Sequence, residues 1–167
     1  MIKVDAVEKM NEEDRLRFMN LLLKGQVDSE KNELANLSNA TAIIKACVED
    51  LNWSGFYLMN RGELVLGPFQ GLPACNRIQV GKGVCGTAVK EEKTQLVPDV
   101  DLFPGHIACD SASSSELVVP IVKEGKVYGV LDLDSPSKDR FGELHQKYFE
   151  KFVHILNEYI DWEKVTA

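Results

Sequence analysis

The stretch that decides the fold is Glu116-Leu117-Val118-Val119-Pro120-Ile121-Val122, then Lys123-Glu124-Gly125-Lys126, then Val127-Tyr128-Gly129-Val130-Leu131-Asp132-Leu133-Asp134. Two runs rich in β-branched residues flank a short charged turn containing Gly, which predicts a β-hairpin. Side chains alternate across a strand, so Asp132 and Asp134 share one face while Leu131 and Leu133 share the other. Upstream the same period of two recurs in Trp53–Met59 and Glu63–Phe69 around Asn60-Arg61-Gly62, a second hairpin with Trp53, Gly55 and Tyr57 on one face. Weaker strands are expected at Arg77–Val80 and at Thr94–Val97, the latter stopped by Pro98.

Helical spacing brackets these strands. Asn11 and the acids Glu12, Glu13 and Asp14 predict a helix start, with an apolar face of Leu16, Met19, Leu22 and Leu23 and an end at Lys24-Gly25. A second helix is expected from Asp28-Ser29, with Leu34, Leu37, Thr41, Ile44, Val48 and Leu51 on its face and Cys47 as a small core residue. A short helix should follow Gly86, and a final one should run from about Gly142 to Trp162. Helices at both ends of hairpin-linked strands predict an α+β fold, with the helices on one face of an antiparallel sheet. From Pro98 to Ser115 no period is visible, and loops this long in a compact domain are usually functional or disordered.

The chain of 167 residues fits one domain spanning 1–167. Its net charge of −7, with no Lys/Arg run, argues against nucleic-acid or anionic-membrane partners, which require a basic face. The N-terminus carries no apolar leader, and the longest apolar run, Leu117–Val122, is far too short to span a membrane. The expected compartment is therefore the reducing cytoplasm, where cysteines are more often catalytic or metal-binding than permanently paired.

Three cysteines, Cys75, Cys85 and Cys109, lie at turns and element ends rather than on an apolar stripe. Gly81-Lys82-Gly83-Val84-Cys85-Gly86 fits G-x-G-x-x-G, but the following helix is too short for a crossover and no second βαβ unit appears, so a dinucleotide site is set aside. Cys75, Cys85, His106 and Cys109 could ligate zinc in principle, yet only His106 and Cys109 have the usual close spacing. Thiol redox chemistry fits better: one cysteine becomes a sulfenic acid and a second condenses with it to a disulfide. Cys109 is the expected nucleophile, in the longest loop, near His106 and the strand bearing Glu116. Glu116, Asp132 and Asp134 are crowded acids, one of which can stay protonated at neutral pH and act as a general acid. Trp53 and Tyr57 are candidate pocket aromatics.

The same segments resemble the free methionine-(R)-sulfoxide reductases, a family built on a stand-alone GAF domain. The matching stretches are Asn52–Tyr57, Gly67–Gly71 leading into Pro73-Ala74-Cys75, Gly81–Thr87, Val97–Val100, Phe103–Asp110, Ser115–Pro120 and Gly129–Ser135. The resemblance implies a GAF-like six-stranded antiparallel sheet flanked by helices and reduction of free L-methionine-(R)-sulfoxide, recycled by thioredoxin without metal or organic cofactor. By position it makes Cys109 catalytic, Cys75 the first resolving partner and Cys85 a second cysteine that can pass the disulfide outward. Trp53 and Tyr57 would then contact the substrate's methyl group and side chain. Glu116, Asp132 and Asp134 would bind its ammonium or sulfoxide, with Glu116 supplying the proton. A homodimer fits the resemblance, with no interface legible in the sequence. Leu72, where a basic residue is common, and Leu117, where Ile is usual, depart from the pattern.

Overall fold

The computed structural model describes residues 6–107, 109 and 111–167, so Ala108 and Asp110 of the Cys109 motif, and the first five residues, lie outside it. Six strands form one antiparallel sheet in the order β3-β2-β1-β6-β5-β4. They are β1 (Trp53–Asn60), β2 (Glu63–Gln70), β3 (Arg77–Gln79), β4 (Gln95–Val97), β5 (Ser115–Lys123) and β6 (Lys126–Ser135). The two hairpins read from the sequence, β1–β2 and β5–β6, are both present, and their pairing through β1 and β6 makes the sheet centre.

The register is what creates the site. Trp53 lies opposite Asp134 and Gly55 opposite Asp132, while across the other edge of β6 Glu116 faces Asp134 and Val118 faces Asp132. All three acids therefore project from one face of the sheet. The opposite face presents Phe56, Leu58, Leu117, Val119, Leu131 and Leu133 to the helices α1 (Glu12–Ser29), α2 (Glu33–Cys47) and α4 (Glu143–Tyr159), together forming the main core. Each fully buried Leu, Ile, Val or Phe there contributes roughly 1.5–3 kcal/mol.

Several boundaries differ from the sequence reading. Gly25 does not end α1; the helix runs four residues further and buries Val27. A lone glycine costs only about 1 kcal/mol in a helix, less than the tertiary packing it would forfeit by stopping. Asp28 and Ser29 thus belong to α1, and Asn32 caps α2 by accepting the Ala35 N–H at 2.9 Å. Cys47 is buried in the helical core, as its spacing suggested. The last helix ends at Tyr159, and Trp162 sits in a separate 3-10 turn with its indole N–H on Asn157 Oδ1 at 2.9 Å.

The helices do not all lie on one face. The short α3 (Gly83–Glu91) starts before Gly86 rather than after it, and packs against β5 and β6 on the face carrying the acids. Two glycines permit this layer. A Cβ on Gly86 would overlap the carbonyl oxygen of Gln79, so the first turn of α3 can sit on the end of β3 only without a side chain there. A Cβ on Gly55 would collide with Phe69 and with the Trp53 indole, and its absence lets those rings stack at 5.3 Å.

Candidate active site

Above the acidic face, α3 and the segment between β4 and β5 close over a small cavity. It is lined by Tyr57 from β1, Ile78 from β3, Lys82 to Cys85 at the start of α3, and Glu116, Asp132 and Asp134 from β5 and β6. His106, Ile107, Cys109 and Ser113 complete it from the long loop. The space inside is about 30 Å³, room for roughly one or two waters.

Cys75 and Cys109, 34 positions apart in sequence, are joined in a disulfide with Cα atoms 5.2 Å apart. The bond pins the loop of Cys109 to the turn after β2. Tyr57 holds that turn by donating its hydroxyl to the Cys75 carbonyl at 2.9 Å. Cys85 remains a thiol in the first turn of α3, only 3 % exposed. It faces Glu116 Oε1 at 3.9 Å. Burial, with Asp132 and Glu116 nearby, pushes its pKa well up.

The acids are strongly perturbed. Burial raises the pKa of Glu116 well above the carboxylate range, and the charge of Asp134 raises it further. Burial, then Glu116, does the same to Asp132. Oδ1 of Asp132 is buried and accepts no hydrogen bond among the described residues. His106 Nε2 lies 3.6 Å from Glu116 Oε2, close enough to count as an ion pair. Yet burial lowers the pKa of His106 while it raises that of Glu116, so burial opposes the charged form of both partners and the contact is not a salt bridge in which both are ionised.

The sequence-level candidates thus converge. Cys75, Cys109, Cys85, Glu116, Asp132 and Asp134 all meet at or beside one pocket, with Tyr57 in its wall. Trp53 is displaced one layer outward: it does not line the closed cavity but stacks on Tyr57 at 5.7 Å, wholly buried. Missed from the sequence were Lys82 and the backbone at the start of α3, at the cavity rim. The signal lay in Gly81-Lys82-Gly83, whose glycines read as a tight turn bringing backbone and Cys85 close to something, without Lys82 being singled out.

A model of the GAF domain matches residues 40–161. The free methionine-R-sulfoxide reductase of Escherichia coli is 44 % identical over 157 residues, 92 % of this chain and 93 % of the relative. The chain belongs to the GAF-domain family, among the free methionine-R-sulfoxide reductases. The Saccharomyces cerevisiae enzyme of the same name is 43 % identical over 163 residues, covering 93 % of this chain and 91 % of its own. The structure of the Neisseria meningitidis free methionine-R-sulfoxide reductase in complex with its substrate superposes with a TM-score of 0.88. It is 39 % identical and covers 93 % of this chain and 94 % of that one. The GAF assignment agrees with the six-stranded sheet, and Cys85 and Cys109 line the pocket above it. Among the described residues, no helix is long and apolar enough to cross a membrane.

Proposed function

We propose that this protein reduces free L-methionine-(R)-sulfoxide to L-methionine in the cytoplasm, through a sulfenic acid on Cys109 and a disulfide recycled by thioredoxin. The observation that carries the reading is a Cys75–Cys109 bond at the mouth of a pocket floored by buried, protonated acids. A sulfoxide sulfur is a poor electrophile until its oxygen accepts a proton, so the reaction needs a thiolate and an acid on opposite sides of the S–O bond.

In the reduced enzyme the Cys109 thiolate attacks the sulfoxide sulfur while Glu116 gives its proton to the oxygen. In the resulting adduct the new S–S bond and the substrate's S–O bond break as the hydroxyl passes to the Cys109 sulfur, so methionine leaves and Cys109 is left as a sulfenic acid. The Cys75 thiol then displaces water to give the disulfide. Thioredoxin restores both thiols by exchange. No step calls for a metal or an organic cofactor. Cys85 stays a thiol throughout the first disulfide, available to a later exchange once the loop moves.

A free amino acid presents an ammonium and a carboxylate. Asp134 suits the first, with Asp132, held protonated by burial, able to accept a hydrogen bond through its carbonyl oxygen. Lys82 and the N-terminus of α3, whose first N–H groups have no side-chain cap, suit the second. An internal peptide residue offers neither charge. Tyr57, backed by Trp53, suits the methyl and methylene groups. The cavity of about 30 Å³ is too small for this substrate, so reduction must free the Cys109 loop before binding.

The test is thioredoxin-coupled NADPH oxidation with the separate R and S forms of free methionine sulfoxide. Turnover with R alone, abolished by Cys109→Ser, is expected. No turnover with either form, given an active thioredoxin system, would defeat the reading and favour a GAF module that binds a ligand without chemistry.

A further inference from the structure

We propose that Cys85, Glu116 and Asp132 form a binding site for a zinc-like divalent cation, which fills the pocket and competes with substrate. The competition rests on the function proposed above; the metal site does not.

The sulfur of Cys85 and one oxygen each from Glu116 and Asp132 lie within 4.8 Å of one another. They come from three elements held in fixed relation: the first turn of α3, the start of β5 and the middle of β6. Strand pairing sets Glu116 and Asp132 in adjacent strands, and the Gly86 contact sets the height of Cys85 above them. Zinc bonded at about 2.0–2.3 Å to three corners of a tetrahedron puts its donors roughly 3.3–3.8 Å apart. The donors therefore need to close by about 1–1.5 Å to hold the ion.

An independent feature points to a cation. Asp132 Oδ1 is buried without a hydrogen-bond partner among the described residues, in a cavity it helps to line. A buried polar atom left unmade costs about 1–3 kcal/mol, which a bound cation removes. The donor types narrow the choice. A thiolate with two carboxylates disfavours Mg²⁺ and Ca²⁺, which take oxygen ligands, and suits Zn²⁺ and its neighbours. Three protein ligands leave a fourth position for water. Binding displaces the Cys85 and carboxyl protons to solvent, so atoms and charge balance without any redox step.

This set shares only Cys85 with the zinc ligands considered from sequence, because Cys75 and Cys109 are consumed in the disulfide and His106 lies outside the close group. That difference makes the test selective. The oxidised protein, disulfide intact, is titrated with Co²⁺ as a spectroscopic stand-in, and Zn²⁺ is then added. Expected is one equivalent of Co²⁺ with a thiolate-to-cobalt charge-transfer band that Zn²⁺ abolishes. Cys85→Ser should remove the band and Asp132→Asn should weaken binding at least tenfold, while Cys47→Ala should keep it. Thermal melts of each variant show that it is folded. Absence of the band, or a band surviving Cys85→Ser, overturns the proposal. Competition is read in a Cys75→Ser/Cys109→Ser variant, which cannot turn over: free methionine sulfoxide should lower the band. A band indifferent to sulfoxide upholds the metal site and counts against the substrate placement instead.

Discussion

Replacing Glu116 with Gln should stabilise the protein, and the gain should grow with pH. Burial and Asp134 hold the Glu116 proton on in the folded state, whereas the unfolded chain ionises near the ordinary value of 4.5. Below that pH both states are protonated and the raised pKa has no effect. Above it the unfolded state sheds a proton that the folded state keeps, so wild-type stability falls as pH rises towards the folded pKa. The slope is about 1.4 kcal/mol per pH unit for each retained proton. Gln keeps the shape of the protonated acid and cannot ionise. For each pH unit between the unfolded value and the folded pKa the variant should therefore gain at most about 1.4 kcal/mol on wild type. At roughly 2–4 °C per kcal/mol for a chain of this size, the Tm difference widens by up to about 3–6 °C per pH unit until the folded pKa is reached. The assay is thermal unfolding of both oxidised proteins at pH 5, 6 and 7, with activity measured in parallel and expected to be lost. A Tm difference independent of pH, or one shrinking as pH rises, would refute the idea that Glu116 is a protonated acid in the folded enzyme.

Three further outcomes follow from the same geometry. Gly86→Ala forces a Cβ onto the Gln79 carbonyl and should cost about 1–3 kcal/mol, seen as a lower urea midpoint with an unchanged slope. Lys82→Ala removes an exposed cation from the pocket rim and should raise KM by about 2–10-fold with kcat nearly constant, the size of one ordinary hydrogen bond, since the exposed charge is weakened by solvent; an unchanged KM would take it out of carboxylate binding. The two free thiols should resist a bulky disulfide reagent in the native oxidised protein and react in denaturant, since both are buried. Burial lifts Cys47 to about 11, leaving about one thiolate in a thousand at pH 8.

Strand identity was legible because a period of two is written locally. Leu131 and Leu133 had to share a face opposite Asp132 and Asp134, and both hairpins carried their own turns. The boundary errors came where a local signal competed with packing: Gly25 reads as a stop, yet Val27 two residues on finds a buried place. The second helical layer was invisible for a related reason. A nine-residue helix has too little periodicity to reveal which face of the sheet it covers.

By itself, the sequence determined which residues could do chemistry: three thiols outside the apolar stripes, three acids on β-strands, and a spacing that matches one family. Only the tertiary structure decided how they act. Register across β1, β5 and β6 brought Glu116, Asp132 and Asp134 onto one face, and the close approach of Gly86 to Gln79 lowered α3 over them. Residues 34 positions apart became partners in the Cys75–Cys109 bond, while Cys85 was left a buried thiol among acids. Burial then raised the acids' pKa values, because the charged form loses its water. Desolvation depends on what the rest of the chain places overhead, and no local pattern encodes it.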